Sequence, residues 1–126
     1  EYDFELSAEG TENLEVIADK EQFARALINL IKNAQQAIPD NRRGKITFTL
    51  SRENDHAVIQ VSDNGKGIPE TLKERIFTPN FTTKSSGTGL GLAITKNIIE
   101  SFGGQIWFTS EEDTGSSFFI KLPLTG

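Results

Sequence analysis

The segment DKEQFARALINLIKNAQQAIP, residues 19–39, gives the firmest indication of the fold. Its apolar side chains recur every three or four positions, the spacing that places them on one face of a helix. They are Phe23, Ala26, Leu27, Leu30, Ile31, Ala34 and Ile38. Asp19 precedes the pattern, with Gln22 three residues later as in a capping box, and Pro39 interrupts it. We therefore predict a long amphipathic helix that begins after Asp19 and ends before Pro39.

Alternating apolar and polar residues predict three pairs of antiparallel strands around this helix. The paired runs are residues 2–6 with 14–18, 46–50 with 57–61, and 105–110 with 116–122. Polar turns separate the members of the last two pairs, at residues 53–55 and 111–115, so each of these pairs is expected to form a hairpin.

The segment 62–91 carries five of the eleven glycines and is predicted to be loop around one short helix near residues 70–76. Helical spacing resumes over residues 90–102, and Gly103-Gly104 supplies a C-terminal stop. The order strands, helix, strands, loops, helix, strands favours an α+β sandwich with a mixed, mostly antiparallel sheet and the helices on one face.

The composition excludes several functional classes. The chain has 126 residues, 36% of them hydrophobic and 25% charged, which suits one compact domain. It contains no cysteine and a single histidine, His56, so disulfides, thiolate metal sites and cysteine nucleophiles are excluded. Its net charge of -5 argues against broad electrostatic binding to nucleic acid, and no apolar run approaches the roughly 18 to 20 residues of a membrane span. Glu1 in place of an initial Met, with no signal-like segment, indicates an excised piece of a longer intracellular protein.

Asn29 and Asn33 lie four residues apart and therefore on one side of the predicted helix. An amide carbonyl can coordinate Mg²⁺, which often needs only one or two protein ligands when phosphates supply others. The alternative is that both amides are solvated or cap local backbone, and the helix by itself does not decide between the two.

The segment Asp63-Asn64-Gly65-Lys66-Gly67-Ile68-Pro69 directly follows a predicted strand. Two glycines two residues apart permit the close approach of a flat group, and a carboxylate can accept a hydrogen bond from an exocyclic amine such as that of adenine. The alternative is a tight turn in which Asp63 serves as an Asx-type cap.

A third segment, residues 84–93, has closely spaced glycines that run into the second predicted helix. Its successive amide N–H groups and the positive end of the helix dipole would attract a phosphate. It matches neither the P-loop pattern nor the Rossmann pattern, and a flexible linker would have a similar composition.

In this order and spacing, the three segments resemble the GHKL superfamily of ATP-binding domains. The matching segments are residues 29–34 for the N box, 63–69 for the first glycine box, 76–84 for the F box peculiar to histidine kinases, 87–92 for the second glycine box, and 115–118 with 122–123 for the closing strand motif. The resemblance covers essentially the whole chain and implies the Bergerat fold, a two-layer α/β sandwich with a nucleotide lid loop.

The resemblance also implies roles for individual residues. Asn33 would bind Mg²⁺ and act in catalysis, and Asp63 would read the adenine amine. Lys84 would meet the β- or γ-phosphate as a second catalytic residue, the alternative being a solvated lid lysine. The other residues expected at the nucleotide are Asn29, Lys32, Gly65, Gly67, Ile68, Phe81, Thr83, Gly87, Thr88, Gly89, Leu90, Gly91, Leu92 and Ser116. Phe77 and Phe81 are expected to anchor the lid by core packing rather than by stacking on the nucleotide.

Position 29 indicates the type of reaction. Superfamily ATPases carry a glutamate four residues before the Mg²⁺-binding asparagine to activate water, whereas this chain has Asn29, which lacks useful basicity. The resemblance therefore implies a sensor histidine kinase of a two-component system, most similar to the nitrogen-regulation class. It would transfer the γ-phosphoryl group of ATP to a histidine on a separate dimerisation domain, and a response regulator would receive it next.

The acceptor motif of that dimerisation domain is absent, and His56, in a polar hairpin turn, is expected to lie at the surface. The domain is expected to be cytoplasmic and monomeric, within a homodimeric parent kinase whose membrane attachment is left open. No nucleic acid is expected as a partner. The alternatives are a stand-alone ATPase or anti-sigma-type serine kinase, and a non-catalytic nucleotide-sensing module.

Overall fold

The computed structural model describes residues 16, 18–78 and 91–125 in full, and residues 2–7 by their backbone. The described elements are, in chain order, β1 Tyr2–Ser7, α1 Lys20–Ala37, β2 Gly44–Glu53, β3 His56–Asp63, a 3₁₀ helix Glu70–Leu72, α2 Gly91–Ser101, β4 Gln105–Glu111 and β5 Gly115–Pro123. The strands of this described part form one sheet in the order β1-β2-β3-β5-β4.

The sheet is mixed because β1 pairs with β2 in parallel, whereas the other three pairs are antiparallel. The predicted hairpins, β2–β3 and β4–β5, are confirmed. The predicted antiparallel partner of the first strand is wrong, because Val16 and Ala18 belong to no strand. Residues 14, 15 and 17 lie outside the described part. Since α1 connects β1 to β2, the two strands can run in the same direction, which a tight turn would not allow.

Local sequence signals define both ends of α1. Asp19 Oδ1 accepts hydrogen bonds from the backbone N–H groups of Glu21 at 2.9 Å and Gln22 at 3.1 Å, which confirms the predicted N-cap. The helix ends at Ala37, two residues before Pro39. The long helix predicted from the apolar spacing is therefore confirmed.

The helix α2 ends at Ser101, and Gly103 terminates it as predicted. This residue has φ +77, a left-handed conformation that glycine adopts without strain. Gly104 N–H donates to Ile99 O at 3.0 Å and Gly103 N–H donates to Glu100 O at 3.0 Å. These two bonds form a Schellman motif, which satisfies the last carbonyl groups of the helix.

The short helix predicted near residues 70–76 is formed only in part. Residues 70–72 adopt 3₁₀ geometry, and the chain continues through turns as far as Phe77. The bonds from Leu72 N–H to Pro69 O, at 2.9 Å, and from Arg75 N–H to Leu72 O, at 2.9 Å, span three residues rather than the four of an α-helix.

The core lies between the helices and one face of the sheet. Its most deeply buried apolar side chains, each at most 2% exposed, include Leu30, Ile46, Val61, Ile99, Ile120 and Leu122. Side chains alternate along β3 and β5, so Val61 and Phe118 face this core, whereas Ser62 and Ser117 face the other side of the sheet. The predicted two-layer α+β architecture is confirmed. Within the described residues, no helix has an apolar stretch long enough to cross a lipid bilayer.

We predict that Asp19→Ala lowers the free energy of unfolding by about 1 kcal/mol, because it removes the acceptor for the two N–H groups at the start of α1. Asp19→Asn is the matched control, since it retains a capping oxygen and should cost only about a few tenths of a kcal/mol. Urea denaturation of the two variants measures the difference. Equal stabilities for the Ala and Asn variants would contradict this account of the cap.

Candidate functional site

Asp63 is the last residue of β3 and is only 9% exposed. Its Oδ1 atom accepts a hydrogen bond from Gly65 N–H at 2.8 Å, so the Asx-type turn considered as an alternative is formed. An ionised carboxylate offers about four lone-pair positions on two oxygens. The turn is therefore compatible with recognition of a ligand amine by the same side chain.

The backbone of residues 65–67 passes too close to its neighbours for side chains to fit. A Cβ atom on Gly65 would lie 2.5 Å from Ala37 O, and one on Gly67, which has φ +72, would lie 2.2 Å from Glu111 O. Lys66 N–H donates to Ala37 O at 2.9 Å, and Asp113 N–H donates to Lys66 O at 2.7 Å. The segment is thus held between the end of α1 and the β4–β5 hairpin.

Arg42 reinforces this arrangement and was not identified from the sequence. Its Nη1 atom donates to Asn64 O at 2.6 Å and lies 3.3 Å from Gly65 O and 3.4 Å from Asp113 O. One guanidinium therefore connects three loops. Because the acceptors are backbone carbonyls of segments remote in sequence, no spacing pattern could have marked this arginine.

Asn29 and Asn33 lie half-buried on α1, on the same side of the helix. Asn29 Nδ2 lies 3.4 Å from the carbonyl oxygen of Gly91, the first residue of α2. The side chain of Asn33 makes no hydrogen bond to the described part of the chain. It lies one turn before Ala37, whose carbonyl binds Lys66 N–H, and therefore at the same end of α1 as the glycine segment.

The other predicted site residues differ in their surroundings. Lys32 is exposed on α1, whereas Ile68 and Leu92 are half-buried and pack against the core. Nothing described lies within 4 Å of the position of a Cβ atom on Gly91, so no described neighbour requires glycine there. The predictions for Phe81, Thr83, Lys84, Gly87, Thr88, Gly89 and Leu90 lie outside the described residues.

Phe77, the first phenylalanine of the F box, packs in the core as predicted. Its ring lies edge-on to Phe108, with centroids 5.9 Å apart, and to Phe118, with centroids 6.3 Å apart. Lys96 Nζ on α2 lies 5.6 Å from the centre of the same ring. Aromatic packing therefore anchors the start of the F box to the β4–β5 hairpin, and the Lys96 ammonium contacts the same ring from α2.

Ser116 is 6% exposed and lies directly opposite Asp63 in the β3–β5 register. Its hydroxyl lies 2.8 Å from the hydroxyl of Ser110 on β4, which also accepts a hydrogen bond from Ile68 N–H at 2.8 Å. The structure thus brings Asp63, Ser116 and the glycine segment together at one end of the sheet. Ser110 was missed because a serine in an alternating strand has no distinctive pattern.

Residues 18–126 match the family described as histidine kinase-, DNA gyrase B-, and HSP90-like ATPase. The chain is 46% identical over 110 residues to the sensor histidine kinase ZraS of Escherichia coli, a match that covers 87% of this chain and 23% of ZraS. The chain therefore spans about a quarter of the length of this relative.

Solved structures of histidine kinases have the same architecture. The nucleotide-free catalytic domain of histidine kinase ThkA aligns with a TM-score of 0.83 and 42% identity, over 97% of this chain and 78% of that domain. ThkA in complex with the response regulator TrrA aligns with a TM-score of 0.79 and 38% identity, over 98% of this chain and 34% of that one. The resemblance noted in the sequence is confirmed, and the chain belongs to the family of histidine kinase-, DNA gyrase B- and HSP90-like ATPases.

Proposed function

We propose that residues 1–126 form the catalytic ATP-binding domain of a longer sensor histidine kinase. Membership of an ATPase family implies that the domain binds ATP. In the proposed reaction a histidine nitrogen of a separate dimerisation domain attacks the γ-phosphorus, the bond to the bridging oxygen breaks, and ADP leaves. An aspartate of a cognate response regulator then takes the phosphoryl group. The similarity to ZraS, and to ThkA, which has been seen with its response regulator, supports this assignment.

The environment of Asn29 is the observation that carries the proposal. An ATPase that activates water needs a base near the γ-phosphate, and an amide side chain does not provide one. The amide nitrogen of Asn29 instead faces the carbonyl of Gly91 at 3.4 Å. This contact supports a structural role for Asn29 as a link between α1 and α2. The lack of a base at position 29 favours transfer to a separate nucleophile. Such a transfer depends mainly on positioning and charge neutralisation.

The position of His56 supports an acceptor outside this domain. His56 is the first residue of β3 and Asp63 is the last. Seven residue steps at about 3.3 Å each separate the two by about 23 Å. His56, expected at the surface, is half-buried at the start of β3, where its backbone pairs with Glu53 and Pro123. The proposed parent kinase is a homodimer. Its catalytic domains are proposed to be monomeric and to lie in the cytoplasm, where ATP is available.

Asp63 is proposed to accept a hydrogen bond from the adenine amine. Burial strengthens a charge-assisted hydrogen bond because water competes with it less. A Cβ atom on Gly65 would lie 2.8 Å from Asp63 Oδ1, so glycine at this position keeps the carboxylate from being crowded by its own loop. A base with an oxygen in place of the amine would present a second acceptor to Asp63 and be repelled.

Asn33 is proposed to be the protein ligand of Mg²⁺. Its amide oxygen is a hard ligand, it is half-buried, and no described residue competes for it by hydrogen bonding. In the described residues no group of three or more His, Cys, Asp or Glu side chains could hold a metal ion, so phosphate oxygens and water would complete the coordination. When bound, the ion would neutralise charge on the β- and γ-phosphates.

We predict that Asp63→Asn weakens ATP binding by roughly 10- to 100-fold, because it removes a buried hydrogen bond to a charged group. Asp55→Asn, in the exposed turn at the other end of β3, removes the same charge and should leave affinity unchanged. Isothermal titration calorimetry measures both variants. If the two variants bound ATP equally well, Asp63 would not be the adenine-reading residue.

We predict that Asn33→Ala abolishes the contribution of Mg²⁺ to ATP affinity. The quantity to compare is the ratio of ATP affinities with Mg²⁺ and with EDTA, which should fall toward one in the variant. Asn97→Ala, an exposed asparagine on α2, serves as the control and should retain the ratio of the parent. An Asn33→Ala variant with the parental ratio would remove this residue from the metal site.

We predict that the domain, mixed with the separately produced dimerisation domain of its parent protein, phosphorylates that domain at histidine. Radioactive label from the γ-position of ATP should appear there as an acid-labile phosphate, and not when the acceptor histidine is replaced. Three other results would contradict the proposal. They are sustained phosphate release by the isolated chain, an acid-stable phosphoserine on a partner, and ATP binding without any transfer.

A further inference from the structure

The hydroxyl of Ser110 lies at the centre of a small hydrogen-bond network on the helix-facing side of the sheet. Ser110 Oγ accepts a hydrogen bond from Ile68 N–H at 2.8 Å, lies 2.8 Å from Ser116 Oγ, and lies 3.2 Å from the carbonyl oxygen of Gly115. The network therefore joins the first glycine box, through Ile68, to the strand residue opposite Asp63.

The capacity of a hydroxyl group limits how this network can be arranged. Ser110 has one proton to donate and two lone pairs to accept, and Ile68 N–H uses one of the lone pairs. Ser110 donates its proton to the carbonyl oxygen of Gly115, which can only accept, so Ser116 donates its own proton to the second lone pair of Ser110. Ser116 therefore has no proton left to donate to a ligand.

The sheet register places Asp63 on the other side of Ser116. Asp63 pairs with Ser116 across β3 and β5, and Ser116 pairs with Ser110 across β5 and β4. Neighbours opposite each other on the same face of a sheet have Cβ atoms about 4.5–5.5 Å apart. A ligand group held by Asp63 is thus within reach of the hydroxyl that Ser110 restrains.

We propose that Ser110 is a positioning residue that determines the preference of the site for adenine; this inference rests on the function proposed above. Hypoxanthine carries a carbonyl oxygen where adenine carries its amine. If Ser116 were free to rotate, its hydroxyl could donate a hydrogen bond to that oxygen and offset the repulsion from Asp63. Ser110 prevents this by accepting the only proton of Ser116, so the oxygen is left facing a carboxylate.

The link between β4 and the 3₁₀ segment does not depend on the side chain of Ser110. Lys73 Nζ donates to the backbone carbonyl of Ser110 at 2.8 Å and also pairs with Glu70. Ser110→Ala therefore leaves this attachment of β4 in place. The variant removes only the hydrogen bonds of the Ser110 hydroxyl, including the one to Ser116.

The test compares the affinities of Ser110→Ala and the parent chain for Mg²⁺-ATP and Mg²⁺-ITP by calorimetry. The parent should prefer ATP, and Ser110→Ala should reduce the ratio of the two affinities by about fivefold. Ser117→Ala is the matched control. It removes one hydroxyl of the Ser62–Ser117 pair, 2.8 Å apart on the opposite face of the sheet, and should leave the ratio unchanged.

Three results would overturn the inference while the proposed function stands. The first is an unchanged ratio in Ser110→Ala. The second is an equal loss of affinity for both nucleotides, which would show that Ser110 supports the site without affecting the choice of base. In a Ser116→Ala background, Ser110→Ala should not alter the ratio further, and a further change would also overturn it. If circular dichroism shows that Ser110→Ala is unfolded, Ser110→Cys replaces it, since a thiol has nearly the same shape but bonds weakly. A parent chain that binds no nucleotide would instead refute the proposed function itself.

Discussion

The close passage of residues 65–67 between α1 and the β4–β5 hairpin is the constraint on which the site depends. Only residues without side chains fit at Gly65 and Gly67, where backbone oxygens of Ala37 and Glu111 would otherwise be overlapped. The passage fixes the turn that begins at Asp63 and brings Ile68 onto Ser110. A single backbone path therefore connects the helical layer, the buried carboxylate and the edge of the sheet.

The groups that attract the proposed ligand must lie close to it, because the ligand is a polyanion and the chain as a whole has a net charge of -5. Two cations that adjoin the glycine segment and β4 are already engaged: Arg42 with the carbonyl of Asn64, and Lys73 with the carbonyl of Ser110. They stabilise loops rather than phosphates. Under the proposed function, Mg²⁺, backbone N–H groups and the helix dipole neutralise the triphosphate, together with Lys84, which lies outside the described residues.

The features that were predicted from the sequence arise from contacts between near neighbours in the chain. The Asp19 cap, the glycine stop at Gly103 and both hairpins depend on residues a few positions apart, and all are found. The pairing of β1 was predicted wrongly, since an alternating pattern marks a strand without specifying its partner. Arg42 and Ser110 could not be identified because the fold, and not their spacing, brings their partners to them.

The most direct test of the account is a calorimetric titration of the parent chain with Mg²⁺-ATP and, separately, with Mg²⁺-GTP. Guanine presents an oxygen where adenine has its amine, so a site read by a buried carboxylate should discriminate between them. The account predicts that ATP binds and that GTP binds at least about tenfold more weakly. Equal affinity for the two nucleotides, or no binding of ATP, would contradict it.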